Sequence, residues 1–363
     1  MTPVLLRGCT NWDRALLPPD EYEERVRLVQ DNMCAQGMSA LILFSNTFQP
    51  SSDFAWLGGW GVGGALVLAQ SGEPKIFTFG GGREVFFQKA QAWLSHMSSV
   101  GANYGPALKT KLEEMGAGSG AIGIVGLSEM PATGAAGFRA AFAGRELRHC
   151  DTEIRKLRRV KRVRERLVMR QALTIAEAAS AEASRAYAAG ASVTKAMTEA
   201  ERVARMMGAL DYRCLANIVE GDLRPFEENS AHRGKKLMLW GAVNYHGYWA
   251  ETALDADGGG LAQKSLDAMI RALKPGVRMS DVAKAGLAAL PKSAAETAIS
   301  FTMGGSTGQS LDEDLPVTLD NSDTVPEGAI LSLRIFAKEP SLASLAGAMV
   351  EVAPNGAARF TSH

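Results

Sequence analysis

The sequence predicts an α/β domain followed by an α+β domain, on three observations. A chain of 363 residues is too long for one ordinary hydrophobic core. Residues 1–150 alternate short apolar runs with helical patterns, which indicates an α/β fold. Residues 151–363 begin with long helical patterns and close with strand-like runs, which indicates an α+β fold. We therefore predict an N-terminal domain over 1–150 and a C-terminal domain over 151–363.

In the first domain, apolar residues recur at helical spacing over 20–36, and Gly37 marks the end of the predicted helix. The runs ALILFS, ALVLAQ, IFTFGG and IGIVGL predict short buried strands. Between the first two lies the turn-rich segment Thr47–Trp60, whose aromatic residues would be exposed in a lid, although packing in the core is the more common role of such residues.

The second domain opens with the basic run RKLRRVKRVRER, from Arg155 to Arg166. Apolar residues recur through this run at helical spacing, so we predict one continuous helix whose basic face is solvated, rather than a patch for a polyanion. Strands are predicted at RCLANIVEG, KLMLWGAV and GYWAETAL, then two helices, then strands at ISFTMGG, AILSLRIFA and AMVEVAP.

Charge and cysteine content exclude several function classes. Basic and acidic residues number 39 each, so no overall field would attract nucleic acid or an anionic membrane. The four cysteines contain no CxxC pair, which disfavours a disulfide framework or zinc knuckle. The N-terminal residues lack a signal-peptide pattern, and no apolar run reaches about 18 residues. We predict a cytoplasmic protein without nucleic-acid or membrane partners.

The order of five segments in the second domain is the basis of a resemblance to a known superfamily. They are ENSAHRGKKLMLWGAVNYHGYWAETAL, ALKPGVRMSDV, GGSTGQSLDEDLPVTL, VPEGAILSLRIF and AMVEVAPNGAARFT. Together with the helix before them, they resemble the pita-bread superfamily of methionine aminopeptidase, aminopeptidase P, prolidase and creatinase. The first domain resembles the additional domain of the creatinase and prolidase branch. The resemblance implies an α/β N-terminal domain and an α+β pita-bread domain.

Metallopeptidases of this superfamily hold two divalent ions with two aspartates eleven positions apart, one histidine and two glutamates. The resemblance places these five positions, in that order, on Trp240, Glu251, Asp312, Arg334 and Gly347. A guanidinium cannot act as a metal ligand, and an indole is no substitute for a carboxylate. The resemblance thus implies that the dinuclear metal site is lost, and we predict no metal and no other cofactor. If the preceding loop is longer, Glu339 takes the place of Arg334.

The histidine of NSAH, His232, is the residue that the resemblance retains over the substrate. An imidazole with a pKa near 6.5 can accept and return a proton at neutral pH, so His232 is our candidate general acid/base. Glu251 is the second candidate catalytic residue, with Arg334 as its cationic partner. The alternative is that Glu251 and Arg334 form a structural salt bridge in the vacated metal site. His246, in the NYHG turn, is expected to be exposed.

Four residues are predicted to bind the substrate, namely Trp240, Tyr248, Asp312 and Arg334. Trp240 and Tyr248 would form aromatic walls in the volume that the ions would otherwise occupy, although cavity filling is an equally simple role for Trp240. Asp312, together with Glu313, would bind a cationic or hydroxyl-bearing group, or would be a solvated loop acid. Arg334 would orient Glu251 or hold a substrate carboxylate.

Three functions follow as hypotheses. The first is a metal-independent, creatinase-like enzyme that hydrolyses a C–N bond in a small organic molecule. The second is a metal-free lyase in the same pocket, acting on a flat or aromatic substrate. The third is a non-catalytic pita-bread module that binds a ligand or partner. The resemblance also implies a homodimer, in which Thr47–Trp60 of one subunit would cover the pocket of the other.

Overall fold

A computed structural model describes the chain over residues 13–46, 51–59, 63–82, 85–86, 89, 92–219, 221–226, 231–340 and 342–362. The chain forms two compact units that divide between Arg158 and Arg159. The predicted boundary after residue 150 falls just before a helix, Asp151–Arg158, that belongs to the first unit. None of the helices in these ranges is both long and apolar enough to cross a bilayer.

The first unit is built on one mixed sheet with the strand order β4-β3-β2-β1-β5-β6. Its strands are β1 Met38–Ser45, β2 Gly64–Ala69, β3 Lys75–Thr78, β4 Met97–Ser99, β5 Ala121–Val125 and β6 Leu147–His149. Its helices are α1 Pro19–Ala35, α2 Ser52–Gly58, α3 Tyr104–Glu114, α4 Ala132–Ala141 and α5 Asp151–Arg158. Strands β1 and β5 are parallel and buried, as the continuous apolar runs of an α/β domain predict. The predicted α/β fold is confirmed.

Of the two roles considered for the aromatic residues of Thr47–Trp60, core packing is the one that the structure shows where it describes this segment. Residues Ser52–Gly58 form helix α2, and the hydroxyl of Ser51 accepts a hydrogen bond from the Phe54 amide as its N-cap. Phe54 and Trp56 are buried in the core of their own unit. These side chains therefore cannot serve as the exposed face of a lid, while residues 47–50 and 60 lie outside the described ranges.

The second unit has five helices and two four-stranded antiparallel sheets among its described residues. The helices are α6 Val163–Ala188, α7 Val193–Met206, α8 Gly260–Ala272, α9 Met279–Ala288 and α10 Lys292–Phe301. One sheet has the order β10-β9-β7-β8, with β7 Asp211–Val219, β8 Asp222–Arg224, β9 Met238–Tyr245 and β10 Tyr248–Asp255. The other has the order β11-β12-β13-β14, with β11 Gly304–Ser306, β12 Ile330–Glu339, β13 Leu342–Ala353 and β14 Gly356–Arg359. This is the predicted α+β arrangement.

The continuous helix predicted through the basic run is wrong, because the run is interrupted. Helix α5 ends at Arg158 and α6 begins at Val163, and Val160 forms a β-bridge with Ala329 between them. Several basic residues of the run pair with acids of their own chain instead of sharing one solvated face. Arg158 pairs with Asp53 within the first unit, and the pairs Arg159–Asp314, Lys161–Glu313 and Arg166–Glu351 lie within the second.

The strand predicted from ISFTMGG is only half correct. Its first residues, Ile299–Phe301, are the last turn of α10, and only Gly304–Ser306 form a strand. Helix α10 begins after Pro291 with the alanine-rich stretch KSAAETA, and a helix started in this way continues through the β-branched residues that follow. The chain then leaves the helix at Thr302, next to the candidate site.

Candidate functional site

The β9–β10 hairpin brings Trp240 and Glu251 to the same face of their sheet. His246 and Gly247 both have positive φ, 52° and 84°, as the centre of a tight two-residue turn requires. The turn sets a register in which Trp240 pairs with Ala253, and Glu251 pairs with Ala242. Directly paired residues share a face, and so do residues two apart on one strand. An eleven-residue spacing across this turn therefore places Trp240 and Glu251 as diagonal neighbours.

Three side chains meet at this point in a buried hydrogen-bonded network. The Trp240 indole Nε1–H donates to Glu251 Oε2 at 2.7 Å. Arg334 on β12 donates from Nη1 to both carboxylate oxygens of Glu251, at 2.9 and 3.0 Å. The Arg334 guanidinium carbon also lies 5.9 Å from the centroid of the Trp240 ring. Glu251 is thus buried with a cationic partner, as a buried carboxylate requires.

The outer side of the Arg334 guanidinium is bonded by two residues near the surface. Its Nη2 donates to Asp312 Oδ1 at 2.9 Å and to Thr302 Oγ1 at 3.0 Å. Its Nε donates to the same Thr302 hydroxyl at 3.3 Å. The side chain of Asp312 is 62% exposed, whereas that of Arg334 is 7% exposed. We name the set Trp240, Glu251, Thr302, Asp312 and Arg334 the arginine network.

At both Glu251 and Arg334, burial and neighbouring charges shift the pKa in opposite directions. Burial raises the pKa of the Glu251 carboxyl, and the Arg334 guanidinium and Trp240 N–H partly offset this rise. Burial alone would lower the pKa of Arg334, but the carboxylates of Glu251 and Asp312 raise it above its ordinary value. Arg334 therefore stays charged. With both carboxyls ionised, two negative groups face one positive group, and Asp312 contributes to the raised pKa of Glu251.

The residues of the arginine network do not fit a dinuclear metal centre. Both oxygens of Glu251 are engaged by Arg334, and a guanidinium offers only N–H donors. Gly347 lies opposite Arg334 in the β12–β13 register and brings no ligand. A Cβ at Gly347 would lie 2.9 Å from the Cβ of Ala253, so space for a side chain is also missing. In the described ranges, no three His, Cys, Asp or Glu side chains are grouped to hold a metal ion.

Placing Tyr248 as an aromatic wall of the same pocket is wrong. Tyr248 is three residues from Glu251 on β10, so its side chain points to the opposite face of the sheet. There its hydroxyl donates to Glu165 Oε1 of α6 at 2.9 Å. The aromatic residue that does share the face of Trp240 and Glu251 is Trp249, two positions from Glu251, which packs in one apolar cluster with Trp240 and Phe336.

The candidate general acid/base lies outside the arginine network. His232 is half-buried in the segment that leads into β9, and its carbonyl accepts a hydrogen bond from the Val193 amide, at the start of α7, at 3.0 Å. The hydrogen bonds that hold the arginine network together come from its own five members. The expectation that His246 is exposed is wrong, since this turn residue is buried beside Tyr245, with ring centroids 5.0 Å apart.

The structure decides between Arg334 and Glu339 as the residue that faces Glu251. Glu339 is the last residue of β12, where it pairs with Leu342 and accepts a hydrogen bond from Ser293 at 3.1 Å. It is five positions from Arg334, so the two side chains lie on opposite faces of the strand. Arg334 is therefore the residue that the fold brings to the network.

Thr302 is a member of the network that the sequence did not reveal. It follows the last residue of α10 with φ 68° and ψ 138°, a backbone conformation that favours glycine. Such a conformation costs about 1–3 kcal/mol unless surrounding contacts hold it. The two hydrogen bonds from Arg334 to its hydroxyl are contacts of this kind.

We expect Thr302→Gly to be more stable than Thr302→Ala by about 1 kcal/mol or more, although alanine is closer in size. Both variants lose the hydroxyl, but only alanine keeps the unfavourable backbone conformation. Urea denaturation of the two variants would measure the difference, with Thr302→Ser as the control that keeps the hydroxyl. Equal stability of the glycine and alanine variants would contradict this account of Thr302.

Comparison with known proteins adds the family of the first unit. Residues 25–160 match the family described as Creatinase/Prolidase N-terminal domain. No curated protein sequence matches the chain.

Solved structures extend the likeness over both units. The X-Pro aminopeptidase from Thermotoga maritima is similar with a TM-score of 0.78 and 14% identity, over 94% of this chain and 97% of that one. The dipeptidase PepE from Mycobacterium ulcerans is similar with a TM-score of 0.76 and 18% identity, over 97% of each chain. The N-terminal domain of the FACT complex subunit SPT16 from Cicer arietinum is similar with a TM-score of 0.68 and 13% identity, over 93% and 95%.

At these identities the structural likeness establishes the fold, and the family match establishes the N-terminal domain. The chain therefore carries an N-terminal domain of the creatinase/prolidase family, and as a whole it has the pita-bread fold of the X-Pro aminopeptidases and prolidases.

Proposed function

We propose that this protein is a metal-independent hydrolase of the creatinase/prolidase type that cleaves a C–N bond in a small organic molecule. The observation that carries the proposal is the arginine network, which brings together a guanidinium and two carboxyl groups within the second unit. Hydrolytic relatives in the fold support hydrolysis as the general reaction. The donor chemistry of the network supports the absence of a metal ion from that reaction.

The exposed end of the network, where Asp312 lies, suits contact with an organic substrate. The Asp312 carboxylate reaches solvent and makes one contact with Arg334, so its other oxygen can accept a hydrogen bond from a substrate N–H or O–H. The inner half of Arg334 is held by Glu251, which fixes the guanidinium in place. Trp240 and Trp249 supply an apolar surface on the same face of the sheet.

The reaction requires a group that moves protons, and His232 is the residue that we assign to it. In C–N hydrolysis, water adds its oxygen to carbon, the C–N bond breaks, and a proton is delivered to the leaving nitrogen. One imidazole can take the proton from water and return it to nitrogen. Glu251 would then act as an orienting group, because both of its oxygens are engaged by Arg334 and Trp240.

We expect turnover to resist chelators and His232→Ala to lower it by about 10²–10⁴-fold. The test combines elemental analysis of the purified chain with assays on amides, ureas, amidines and dipeptides, with and without chelator. His149→Ala is the matched control, because His149 is an exposed histidine of the first unit. A stoichiometric transition metal, or turnover that a chelator abolishes, would overturn the proposal. Cleavage without incorporation of oxygen from labelled water would instead support the lyase hypothesis.

A non-catalytic binding module is the second candidate, and one observation favours it. All three guanidinium nitrogens of Arg334 and both oxygens of Glu251 are already hydrogen-bonded within the network, which suits a structural replacement for a metal centre. The similarity to a domain of a FACT subunit shows that this fold also occurs in an assembly component. This candidate predicts no turnover on any substrate class and unchanged folding in His232→Ala.

A further inference from the structure

The loop from Ser306 to Asp314 carries Asp312, and its base is tightly bonded. Ser306 and Asp314 are joined by three hydrogen bonds, from the Ser306 amide and hydroxyl to the Asp314 carbonyl at 3.0 and 2.5 Å, and from the Asp314 amide to the Ser306 hydroxyl at 3.1 Å. The Trp249 amide donates to the Gly308 carbonyl at 2.7 Å, which ties the loop to β10 two residues before Glu251.

Inside the loop, Glu313 is a buried acid with a buried basic partner. Lys161 Nζ lies 2.7 Å from Glu313 Oε2, and the two side chains are 1% and 5% exposed. The other oxygen, Oε1, accepts the amide of Gln309 at 2.8 Å, and the Glu313 amide donates to the Ser306 carbonyl at 2.9 Å. The Glu313 side chain therefore links the segment before α6 to the backbone of the loop.

The segment that supplies Lys161 is itself fixed on the second unit. Val160 bridges to Ala329, next to the start of β12, and Arg159 Nε donates to Asp314 Oδ2 at 2.6 Å. Arg159 and Lys161 thus form ion pairs with two successive acids of the loop, Asp314 and Glu313. Asp312, the residue immediately before them, bonds Arg334.

We propose that Lys161 is a positioning residue for the candidate site, which holds Asp312 against Arg334 by fixing Glu313. Asp312 and Glu313 are joined by one peptide unit, so fixing the Glu313 side chain on Lys161 restricts where the backbone of Asp312 can move. An exposed, single ion-pair contact such as Asp312–Arg334 is weak by itself, and therefore depends on how its loop is held. The expected effect of Lys161 on turnover rests on the proposed function, whereas its expected effect on the contact between Asp312 and Arg334 does not.

Gly308 provides a way to disturb the pair without changing any charge. A Cβ at this position would lie 2.6 Å from both Glu313 Oε1 and Lys161 Cε. Gly308→Ala therefore pushes Lys161 and Glu313 apart. If the proposal is right, Gly308→Ala should change the Arg334–Asp312 contact in the same way as removal of the Lys161 charge.

The readout is the Nε–Hε signal of Arg334 in ¹⁵N-arginine-labelled full-length protein, assigned by its loss in Arg334→Leu. Asp312→Asn should shift this signal, because it weakens the acceptor at Nη2. Lys161→Met and Gly308→Ala should shift it in the same direction. The double variant Lys161→Met/Glu313→Gln leaves no unpaired buried charge, and it should also shift the signal in the same direction, because the ion pair that fixes residue 313 is gone.

Lys195→Met is the matched control, because Lys195 forms an exposed pair with Glu199 at the same 2.7 Å distance. It should leave the Arg334 signal unmoved. An unmoved signal in Gly308→Ala, or in a folded Lys161→Met, would overturn the proposal, as would an unmoved signal in Asp312→Asn. If Lys161→Met fails to fold, Gly308→Ala and the double variant decide. No substrate is needed, so a failure here is separate from a failure to find turnover.

Discussion

Replacing Arg334 with leucine should lower the free energy of unfolding by about 3–5 kcal/mol. The variant leaves the Glu251 carboxylate buried with only the Trp240 N–H as a partner. Glu251→Gln should also be strongly destabilising, since its amide hydrogens would face the N–H groups of Arg334. Urea denaturation followed by circular dichroism measures both losses.

The double variant Glu251→Gln/Arg334→Leu gives the sharper comparison. It removes both charges, and the glutamine oxygen still accepts the Trp240 N–H. A buried ion pair that is replaced as a whole costs little, whereas removal of one partner is expensive. We expect the double variant to recover most of the loss, to within about 1 kcal/mol of the wild type. Losses that simply add would show that Arg334 and Glu251 are energetically independent, which contradicts the network.

The stability loss of Arg334→Leu should grow as the pH rises above the folded-state pKa of Glu251 in the wild type, which burial already places above the ordinary glutamate value of about 4.5. Burial raises the pKa of Glu251 and Arg334 lowers it, so removal of Arg334 raises the Glu251 pKa further. Between the unfolded and folded pKa values the native state holds a proton that the unfolded state has released. Stability is therefore fully present below about pH 4.5 and is lost as the pH rises through the folded pKa, with a slope of up to about 1.4 kcal/mol per pH unit.

Unfolding curves of the wild type and Arg334→Leu between acid and neutral pH test this sign. The difference between their unfolding free energies should widen with pH. The double variant with Glu251→Gln should show no such widening, because it has no carboxyl group at this position. A constant difference across the pH range would mean that the Glu251 carboxyl does not titrate as its burial requires.

The sequence was sufficient for the fold class and for most of the arginine network. Short apolar runs, helical patterns and the order of motifs predicted both domains, and the resemblance brought Trp240, Glu251, Asp312 and Arg334 to one place. The eleven-residue spacing across a two-residue turn is geometric information that survives when the residue types change. This is why the positions could be found although the side chains at them do not fit a metal centre.

Two errors have different physical origins. The placement of Tyr248 was avoidable, because residues an odd number apart on a strand face opposite sides, and the same rule points to Trp249. Thr302 gave no such signal, since its backbone conformation depends on where α10 ends and on the hydrogen bonds from Arg334. The interruption of the basic run was equally hidden, because the partners Asp314 and Glu313 are more than 150 positions away.

The packing around Gly347 limits how this centre could be redesigned. Its missing side chain leaves room that Ala253 fills, since a Cβ there would lie 2.9 Å from the Ala253 methyl group and 3.2 Å from the Leu333 carbonyl oxygen. A glutamate introduced at 347 would therefore meet a steric clash before it could coordinate anything. Relief of the clash requires a smaller residue at 253, and that change alone opens a cavity. Close packing, and not only the chemistry of the arginine network, thus opposes a metal ligand at position 347.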